Sequence, residues 1–516
     1  MNLIDFFDRG ALHYPDRDCF VAGDRSYTYR EIRELTLTLA NGLRTLGFRV
    51  GAKGAVLSIN DPIAFSCALS ILRAGGAWVP INPKNALEEH VYMLAQFDCE
   101  VLFYHSQLQA VVDEIRQQVP GIRNYLCVDA AAGTLPAVVE WARQFPDEEA
   151  SLPCDPEGLA MLIGTGGTTG KPKGVMLSNR NLETFCAATM TAMPYSEPPV
   201  YLAAAPLTHA AGILCFPLMA EGATTIVHTK VDPQEILATI SKRRVTTLFL
   251  PPTAIYMLLA QPNVRDVDYA TLRYFIYGAA PMSVDKLKQA LNVFGPVMAQ
   301  LFGQSEAPMM VTFMTPREHL KDGRPVADER LKSCGRATPF VRVAIMDDDG
   351  KLLPPNAVGE IVVQGDLVMQ GYYKNPEASA ESRAFGWHHT GDLGYRDEGG
   401  YYYIVDRKKD LIISGGFNIY PGELEQVLWS HEAVQDCAVI GVPDDKWGEA
   451  VRAVVELKKG KSVTAEELIA LCKSRLGSVK APKAVEFVEA LPRSSVGKVL
   501  KKDLRAAYWA GRERKV

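Results

Sequence analysis

A glycine-rich run, LIGTGGTTGKPKG, spans Leu162–Gly174 and has the composition of a phosphate-binding loop. Glycines let backbone amides turn toward an anion, hydroxyls donate hydrogen bonds to it, and lysine adds positive charge. The P-loop of nucleoside triphosphatases has a glycine five residues before its Gly-Lys pair and a serine or threonine after it. Here those positions hold Thr165 and Pro172, so any phosphate would be held in another architecture. The alternative is a plain turn between strands predicted at Ala160–Ile163 and Val175–Leu177.

Other side chains with catalytic potential are scattered along the chain, and each also has an ordinary interpretation. Glu306 alone would be a surface carboxylate, and Asp392 alone could cap a helix or a turn. Arg407 could be a linker charge, and His209 could be a core histidine in apolar sequence. Lys498 could be one solvated lysine ahead of a basic run. That run contains Lys501, Lys502 and Arg505.

The elements that must position these residues alternate between short apolar runs and amphipathic helices. This alternation is typical of α/β layers with largely parallel sheets. The interval Pro233–Arg243 has helical periodicity, and Asp232 and Glu235 at the N-cap and N3 positions predict a capping box. Buried strands are predicted at Gly54–Ile59, Val101–Tyr104, Tyr125–Val128, Thr224–Val227, Thr247–Leu250 and Tyr274–Tyr277.

Two changes in composition divide the C-terminal third. Glycine and proline flank Val341–Met346, which indicates a smaller β-rich unit beginning near Cys334. The charged run Val405–Asp410 then separates a predicted strand at Tyr401–Ile404 from a new apolar start at Leu411–Ile413. The unit that follows is predicted to be α+β, with strands at Ala438–Val442 and Ala450–Leu457 and a helix capped by Thr464 and Glu467.

The predicted fold class is therefore α/β in more than one domain, because 516 residues exceed one ordinary core. A large N-terminal domain of layered α/β sheets is expected over residues 1–405, with a small β-rich subdomain at about 334–405. A smaller, mobile α+β domain is expected over residues 406–516.

Composition excludes several classes of function. The net charge of −5 argues against a general nucleic-acid binder, although residues 406–516 carry 20 Lys and Arg against 16 Asp and Glu. Ten cysteines without a C-x-x-C pair are typical of buried thiols in a reducing compartment. Asp5 and Asp8 argue against a signal peptide, so a cytoplasmic location is expected. The uncharged stretch Pro198–Ala220 contains Pro206, Pro217 and His209 in its interior, and we interpret it as buried interior rather than a membrane span.

Eight segments taken together resemble the AMP-forming adenylating superfamily, which contains acyl-CoA synthetases, adenylation domains and beetle luciferases. The glycine-rich run fits the superfamily signature [ST]-[SG]-G-[ST]-T-G-x-P-K-G, and the other segments follow in matching order over essentially the whole chain. These are PLTHAAG (Pro206–Gly212), YGAAPM (Tyr277–Met282), FGQSEA (Phe302–Ala307), GYYKNPE (Gly371–Glu377), WHHTGDLG (Trp387–Gly394), DRKKDLIISGGFNIYPGELE (Asp406–Glu425) and PRSSVGK (Pro492–Lys498).

The resemblance implies a ligase of the acyl-CoA synthetase branch that uses ATP, Mg²⁺ and coenzyme A. Such an enzyme converts a poorly electrophilic carboxylate to an acyl-adenylate with release of pyrophosphate, and then transfers the acyl group to CoA. Both reactants of the first step are anions, so positive charge, amide dipoles and a metal ion must hold them in line.

Nucleotide-binding roles follow from the resemblance, segment by segment. The glycine-rich loop would cover the phosphates, Ser305 would contact phosphate, and Glu306 would hold Mg²⁺. Asp392 and Arg407 would bind the ribose, and Phe302 keeps the ring that stacks near adenine but lacks the tyrosine hydroxyl usual in the family. The nucleotide set is Thr165, Gly166, Gly167, Thr168, Thr169, Gly170, Lys171, Lys173, Gly278, Ala279, Ala280, Phe302, Gly303, Ser305, Asp392 and Arg407.

The C-terminal residues are expected to act in both half-reactions. Lys498 matches the catalytic lysine that steadies the adenylation transition state, and Lys409 matches the hinge about which the domain rotates. The rotation would present a coenzyme A channel to the same site. Its residues would be Ser414, Gly415, Gly416 and Trp447. Packing in the domain core is the alternative for Trp447.

The acid is expected to be apolar, either fatty or aromatic. His209 occupies the position of a gating residue beside the acyl carboxylate and is assigned to the catalytic set with Lys498 and Glu306. The expected acyl pocket, whose residues are uncharged apart from the histidine and in several cases very small, comprises His209, Ala210, Ala211, Phe249, Gly278, Leu301, Gly303, Pro308 and Met309. No acidic residue near Thr208 and His209 would receive the amino group of an amino-acid substrate.

Three functional hypotheses remain. A carboxylate–CoA ligase accounts for the lysine loop, the glycine pair and the tryptophan together. The alternatives are an acyl-AMP ligase that loads a carrier protein, or a luciferase-like enzyme, and a nucleotide-binding protein without catalysis. The expected partners are a small carboxylic acid, ATP and CoA, with no nucleic acid and no transmembrane segment. The oligomeric state stays open, and a homodimer is one alternative.

Overall fold

Two large mixed sheets form most of the N-terminal part in the computed structural model, which describes residues 1–131, 133, 135–150, 152, 154–165, 171–494 and 498–510. Along one sheet the strands lie in the order Arg336–Ala337, Ala307–Met314, Met298–Gln304, Tyr274–Tyr277, Thr247–Leu250, Val200–Ala203, Thr224–Val227, Asp18–Ala22 and Arg25–Thr28. Along the other they lie in the order Gly371–Tyr372, Lys173–Ser178, Leu159–Thr165, Ala77–Ile81, Lys53–Leu57, Cys99–Tyr104 and Asn124–Cys127.

Both sheets are parallel in their centres; the first is antiparallel at both ends, whereas the second is antiparallel only at the end that contains Gly371–Tyr372 and Lys173–Ser178. The central strands are buried on both faces, as parallel strands covered by helices must be. The helices are Ile4–His13, Tyr29–Thr45, Pro62–Arg73, Leu87–Gln96, Gln109–Gln118, Val138–Ala142, Asn179–Ala192, Ala210–Ile213, Cys215–Ala220, Pro233–Lys242, Pro252–Leu259, Val284–Phe294, Asp328–Leu331, Pro376–Glu381, Pro421–Trp429, Ala465–Lys480 and Lys501–Trp509.

Smaller antiparallel sheets follow in the C-terminal third. One contains, in spatial order, Arg342–Met346, Gly359–Gln364, His388–Arg396 and Tyr402–Arg407. Another contains Phe417–Ile419, Ile412–Ser414, Gly448–Leu457 and Val434–Asp444, with Ala484–Val488 pairing in parallel to Gly448–Leu457. A two-stranded hairpin joins Leu320–Lys321 to Arg324–Pro325. The predicted α/β fold class, with large N-terminal and small C-terminal parts, is confirmed.

Three of the predicted strands have the predicted ends, and others are shifted by one or two residues. The predicted strand Tyr401–Ile404 is in fact Tyr402–Arg407 and continues into the charged run that the sequence suggested as a boundary. The capping box predicted at Asp232 is only half formed: the Asp232 carboxylate caps the helix, whereas the Glu235 carboxylate lies 3.7 Å from His228 Nε2. The box at Thr464 and Glu467 is confirmed.

The cysteines are free thiols, but one contradicts the prediction that all are buried. Cys154, five residues before the strand Leu159–Thr165, is exposed, while the other nine are buried. Within the described ranges, no helix combines the length and the apolar content that a bilayer span requires.

Two buried histidines make the stability of the fold depend on pH. Burial lowers the pKa of His319 to about 4, and burial together with neighbouring His389 lowers the pKa of His388 to about 4. A folded-state pKa below the usual value means that the stabilisation is present above about pH 6.5 and is lost as the pH falls toward 4. We expect the free energy of unfolding to fall over that window by roughly 3 kcal/mol per histidine.

Thermal unfolding at pH 7.5, 6.0 and 5.0 measures this effect. The His319→Gln variant should show a flatter pH dependence than the parent, because one of the two groups no longer titrates. His13→Gln removes an exposed histidine and is the matched control, for which the slope should not change. Equal slopes for the parent and His319→Gln would contradict the prediction.

Candidate active site

A carboxylate, a phenol and a lysine come together where the two large sheets meet. Glu306 lies in the turn between the strands Met298–Gln304 and Ala307–Met314, and its carboxylate accepts a hydrogen bond of 2.9 Å from the Tyr372 hydroxyl. Lys173 Nζ lies 4.9 Å from the centre of the Tyr372 ring. Burial, followed by the charge of Glu306, raises the pKa of Tyr372, so this hydroxyl stays protonated and donates. Tyr372 therefore connects the end of the glycine-rich loop to Glu306.

Asp392 and Arg407 form an ion pair on adjacent strands. They are direct partners in the antiparallel register, and Arg407 Nε lies 3.0 Å from Asp392 Oδ1. Asp392 is buried, and desolvation raises the pKa of its carboxyl against the opposing effects of Arg407 and Lys498. The charge of Asp392 in turn raises the pKa of Arg407. A carboxylate held in this way can accept two hydroxyl donors from a ribose.

Lys498 lies in the same cleft as these groups. Its side chain contacts solvent, but the surrounding protein lowers the pKa of its ammonium by desolvation, and Arg407 adds repulsion. The carboxylates of Asp392 and Glu306 act on it in the opposite direction. The structure therefore places a lysine from the C-terminal part among two carboxylates and an arginine from the preceding sheets. Lys409, the predicted hinge, is close enough to affect the same ammonium.

The predicted adenine segments have a crowded backbone. A Cβ on Gly278 would lie 2.7 Å from the Leu301 carbonyl oxygen, and one on Gly303 would lie 2.4 Å from the Met309 amide nitrogen. Side chains are therefore excluded at both glycines. Ala279 and Met309 have φ values of 65° and 50°, which are uncommon for residues with a Cβ and occur most often in turns and at functional sites. Ala280, Ser305 and Phe302 belong to the same two segments, and the Phe302 ring is buried.

The predicted acyl residues lie mostly in one apolar cluster. Ala211, Phe249, Leu301 and Met309 are buried members of it, and Ala210 packs against it. Pro308 is buried on the same strand as Met309. We call the predicted acyl residues of this cluster the apolar wall; Ala210 and Ala211, which directly follow His209, connect the histidine to it. Burial lowers the pKa of His209 against the opposing effect of the Thr208 carbonyl, and the charge of Lys498 lowers it further.

The phosphate loop is described at its two ends. Thr165 and Lys173 are paired in the antiparallel register, and Lys171 Nζ lies 5.2 Å from the centre of the Tyr92 ring. The predicted residues Gly166, Gly167, Thr168, Thr169 and Gly170 lie outside the described residues.

The predicted coenzyme A residues are next to one another, on the C-terminal sheet. Gly415 donates its amide hydrogen to the Trp447 carbonyl at 2.8 Å, and a Cβ on Gly415 would lie 2.6 Å from the Trp447 ring. Gly415 has φ of 58°, and Gly416 follows it in the turn after the buried Ser414. The Trp447 side chain is 45% exposed, so packing in the domain core is excluded as its role.

Sequence reasoning missed three residues that position the site. Tyr372 was inside a quoted motif, and its contact with Glu306 is between residues 66 positions apart. Gln304 donates to the Thr390 carbonyl at 3.1 Å and accepts from His388 Nε2 at 3.2 Å, which joins the segment of Glu306 to that of Asp392. The third residue, Asn82, directly follows the strand Ala77–Ile81. Its location at the carboxyl end of a parallel strand is the sequence signal that could have identified it as a site residue.

The donor set near Glu306 fits a magnesium ion that takes most of its ligands from a nucleotide. Within the described part of the chain, no group of three or more His, Cys, Asp or Glu side chains could hold a metal ion alone. Mg²⁺ in phosphate-transfer sites is usually bound by one or two carboxylates together with phosphate oxygens and water. The Glu306 carboxylate, with one oxygen hydrogen-bonded to Tyr372, is a hard oxygen donor of this type.

Comparisons with known proteins agree with this geometry. Residues 7–373 match the family model described as AMP-binding enzyme, and residues 423–498 match its C-terminal domain. The chain is 35% identical to a medium/long-chain-fatty-acid–CoA ligase, FadD8, of Mycobacterium tuberculosis, covering 98% of this chain and 90% of that protein. It is 36% identical to a feruloyl-CoA synthase of an Amycolatopsis species, with 97% and 98% covered. The structure of the amide bond synthetase McbA from Marinactinospora thermotolerans matches with a TM-score of 0.89 at 30% identity, with 98% and 100% covered.

Proposed function

The chain belongs to the AMP-binding enzyme family and is an AMP-forming carboxylate–CoA ligase, and we propose that the acid it activates is apolar, either fatty or aromatic. ATP and CoA are its co-substrates. The observation that carries the proposal is that Lys498 lies close enough to the Asp392–Arg407 pair and Glu306 for their charges to act on its ammonium.

In the first half-reaction, an oxygen of the acid attacks the α-phosphorus of ATP and pyrophosphate leaves. We assign to Asp392 and Arg407 the task of holding the ribose, which fixes the α-phosphate in the cleft. The Lys498 ammonium then neutralises charge on the carboxylate and the α-phosphate where it develops. Desolvation, followed by repulsion from Arg407, lowers the pKa of Lys498, and two anionic substrates in the cleft would stabilise its ammonium form.

Glu306 would hold Mg²⁺, which when bound neutralises charge on the leaving phosphates. Tyr372 keeps Glu306 in place by donating a hydrogen bond to one oxygen, and the Lys173 ammonium over the same ring stands at the end of the phosphate loop. Thr165, Lys171 and the loop between them would then cover the phosphates, as the resemblance implies.

In the second half-reaction, the CoA thiol attacks the acyl carbon and AMP leaves. We propose that the part of the chain after Lys409 rotates about that residue, which removes Lys498 from the cleft and brings in the turn that contains Gly415 and Gly416. The exposed Trp447 next to this turn offers an apolar face that pantetheine could cover. Residues 1–405, with a β-rich part from about 334, would remain fixed during the rotation.

The proposed class of acid follows from the residues that form the wall. Ala210, Ala211 and Gly278 are small, Phe249 and Leu301 are apolar, and none of them is charged. One compared relative is named for fatty acids and another for feruloyl-CoA, which spans the two classes of acid that we propose. A cytoplasmic location and a homodimer stay predictions, and the second can be tested by light scattering.

Release of pyrophosphate measures the proposed function directly. A panel of short- to long-chain fatty acids, benzoic, cinnamic and cyclic acids is assayed with ATP and Mg²⁺, with and without CoA. We expect AMP and acyl-CoA in equal amounts for at least one fatty or aromatic acid, and no activity with amino acids or acetate. If acyl-adenylate accumulates and CoA is not consumed, the ligase assignment is contradicted. This outcome must be tested because the compared amide bond synthetase has the same fold.

A further inference from the structure

A directed chain of hydrogen bonds ends at the site histidine. His90 Nε2 lies 2.9 Å from the Asn82 carbonyl oxygen, and Asn82 Nδ2 lies 3.2 Å from His209 Nε2. His209 Nδ1 lies 2.7 Å from the Thr208 carbonyl oxygen. His90 and Asn82 are almost completely buried, at 1% and 2% exposure. His90 comes from the helix Leu87–Gln96, so the chain runs from behind the parallel sheet into the cleft.

The chemistry of the partners determines where the protons lie. A carbonyl oxygen only accepts, so the proton between His209 and Thr208 is on His209 Nδ1. The orientation of the Asn82 side-chain amide is fixed because its oxygen Oδ1 accepts a hydrogen bond from the Lys84 backbone N–H at 3.1 Å. Its nitrogen therefore faces His209 and donates, and His209 Nε2 must be the unprotonated nitrogen that accepts.

We propose that Asn82 is the positioning residue that holds His209 as the neutral Nδ1–H tautomer in one fixed orientation. Both ring nitrogens of His209 are then engaged, and the ring forms an uncharged wall beside the acid. It acts neither as a cation for the carboxylate nor as a general acid or base. The inference rests on the proposed function only in placing an acid in this cleft.

The charged groups around the ring agree with this assignment. Lys498 faces His209 from the C-terminal part, and its ammonium disfavours a second positive charge. Behind Asn82, the helix Leu87–Gln96 contributes His90 and Glu89, but Glu89 is engaged by the Asn85 amide at 2.7 Å. No carboxylate is among the groups that act on His209 in the described residues; the Thr208 carbonyl favours the protonated ring, but burial and the charge of Lys498 oppose it and lower the pKa of His209.

Nitrogen-15 NMR of the histidine-labelled full chain tests the tautomer without any assay of activity. The His209 resonances are identified by their loss in His209→Phe. We expect the shifts of a neutral Nδ1–H ring that do not change between pH 8 and pH 6. Shifts of the Nε2–H tautomer, or an imidazolium forming between pH 7 and pH 6, would overturn the proposal.

The Asn82→Asp variant tests the role of the amide itself. A carboxylate at this position cannot donate, so His209 must carry a proton on Nε2 as well, and its ring should titrate at least 1 pH unit higher than in the parent. Acid-dependent pyrophosphate release should then gain an ionisation in the pH range of that titration. Ala95→Asp adds the same charge at an exposed position of the helix Leu87–Gln96 and should leave the His209 shifts unchanged.

The outcomes separate this inference from the proposed function. If Asn82→Asp folds and His209 titrates as in the parent, Asn82 does not position the ring. If Asn82→Asp does not fold, the NMR measurement of the His209 tautomer in the parent chain still tests the proposal. A parent chain that releases no pyrophosphate with any acid would contradict the proposed function while the NMR result stands.

Discussion

Replacing Lys498 by alanine is expected to lower acid-dependent pyrophosphate release by about 10²- to 10³-fold, because the cleft loses the cation that opposes charge on the carboxylate and the α-phosphate. Arg407, another cation near the site, is already paired with Asp392 at 3.0 Å and cannot replace it. Transfer of the acyl group from a supplied acyl-adenylate to CoA should stay nearly intact, because the proposed rotation removes Lys498 before that step.

The two half-reactions must be measured separately in this experiment. Pyrophosphate release reports the first, and formation of acyl-CoA from synthetic acyl-adenylate reports the second. Lys502→Ala is the control, since Lys502 is an exposed lysine four residues away that does not interact with the cleft carboxylates in the way that Lys498 does. Equal loss of both half-reactions in Lys498→Ala would contradict the hypothesis that the C-terminal part takes a different orientation in each half-reaction.

The order of helices and strands was predictable where the sequence pattern is compatible with only one kind of element. Thr247–Leu250 and Tyr274–Tyr277 are short apolar runs between helices, and they are buried parallel strands with the predicted ends. The strand Tyr402–Arg407 was predicted too short because its last residues are charged. Asp392 lies opposite Arg407, so pairing with a buried carboxylate allows an arginine within the sheet.

Contacts between distant segments were not predictable from periodicity or spacing. The bond from Tyr372 to Glu306 and the chain from His90 through Asn82 to His209 depend on how two sheets are placed against each other. The motifs could assign a role to each residue by resemblance, but they could not give the tautomer of His209. That information is in the acceptor chemistry of the Thr208 carbonyl and in the orientation of the Asn82 amide.

The basic residues after Lys498 differ in their surroundings. Lys502 is exposed. Lys501, one residue before it, instead places its ammonium 2.7 Å from Glu425, and Arg505 lies 2.6 Å from Asp410. Helical geometry accounts for this, since residues 501 and 505 are one turn apart on the same face and residue 502 is not.

Lys501 connects the helix Lys501–Trp509 to carboxylates on both sides of the proposed hinge. Burial alone would lower its pKa, but Glu425, Asp406 and Asp410 outweigh that effect and raise it. Asp406 lies on the strand Tyr402–Arg407, before Lys409, and it also accepts the Gly422 amide at 2.7 Å. Rotation about Lys409 would separate Asp406 from groups of the C-terminal part.

The Lys501→Met variant is therefore expected to destabilise the C-terminal part by about 3 kcal/mol, because it leaves buried carboxylates without their cation. Lys501 keeps 17% of its side-chain exposure and Glu425 keeps 7%, so water can offset only part of the loss. The free energy of local opening of the helix Lys501–Trp509, from amide hydrogen exchange, measures the change. Lys502→Met has the same change of side chain on the exposed face, and its opening free energy should stay within about 0.5 kcal/mol of the parent.

The same variant links stability to the reaction. Lys498 is three residues before Lys501, so a helix that opens more often leaves the catalytic ammonium out of the cleft for a larger fraction of time. Pyrophosphate release should fall together with hydrogen-exchange protection, and Lys501→Arg, which restores a cation, should recover part of both. A Lys501→Met chain with unchanged protection would show that water reaches Glu425 and Asp406 easily. The placement of Lys498 would then depend on its own loop and on the bound anions alone.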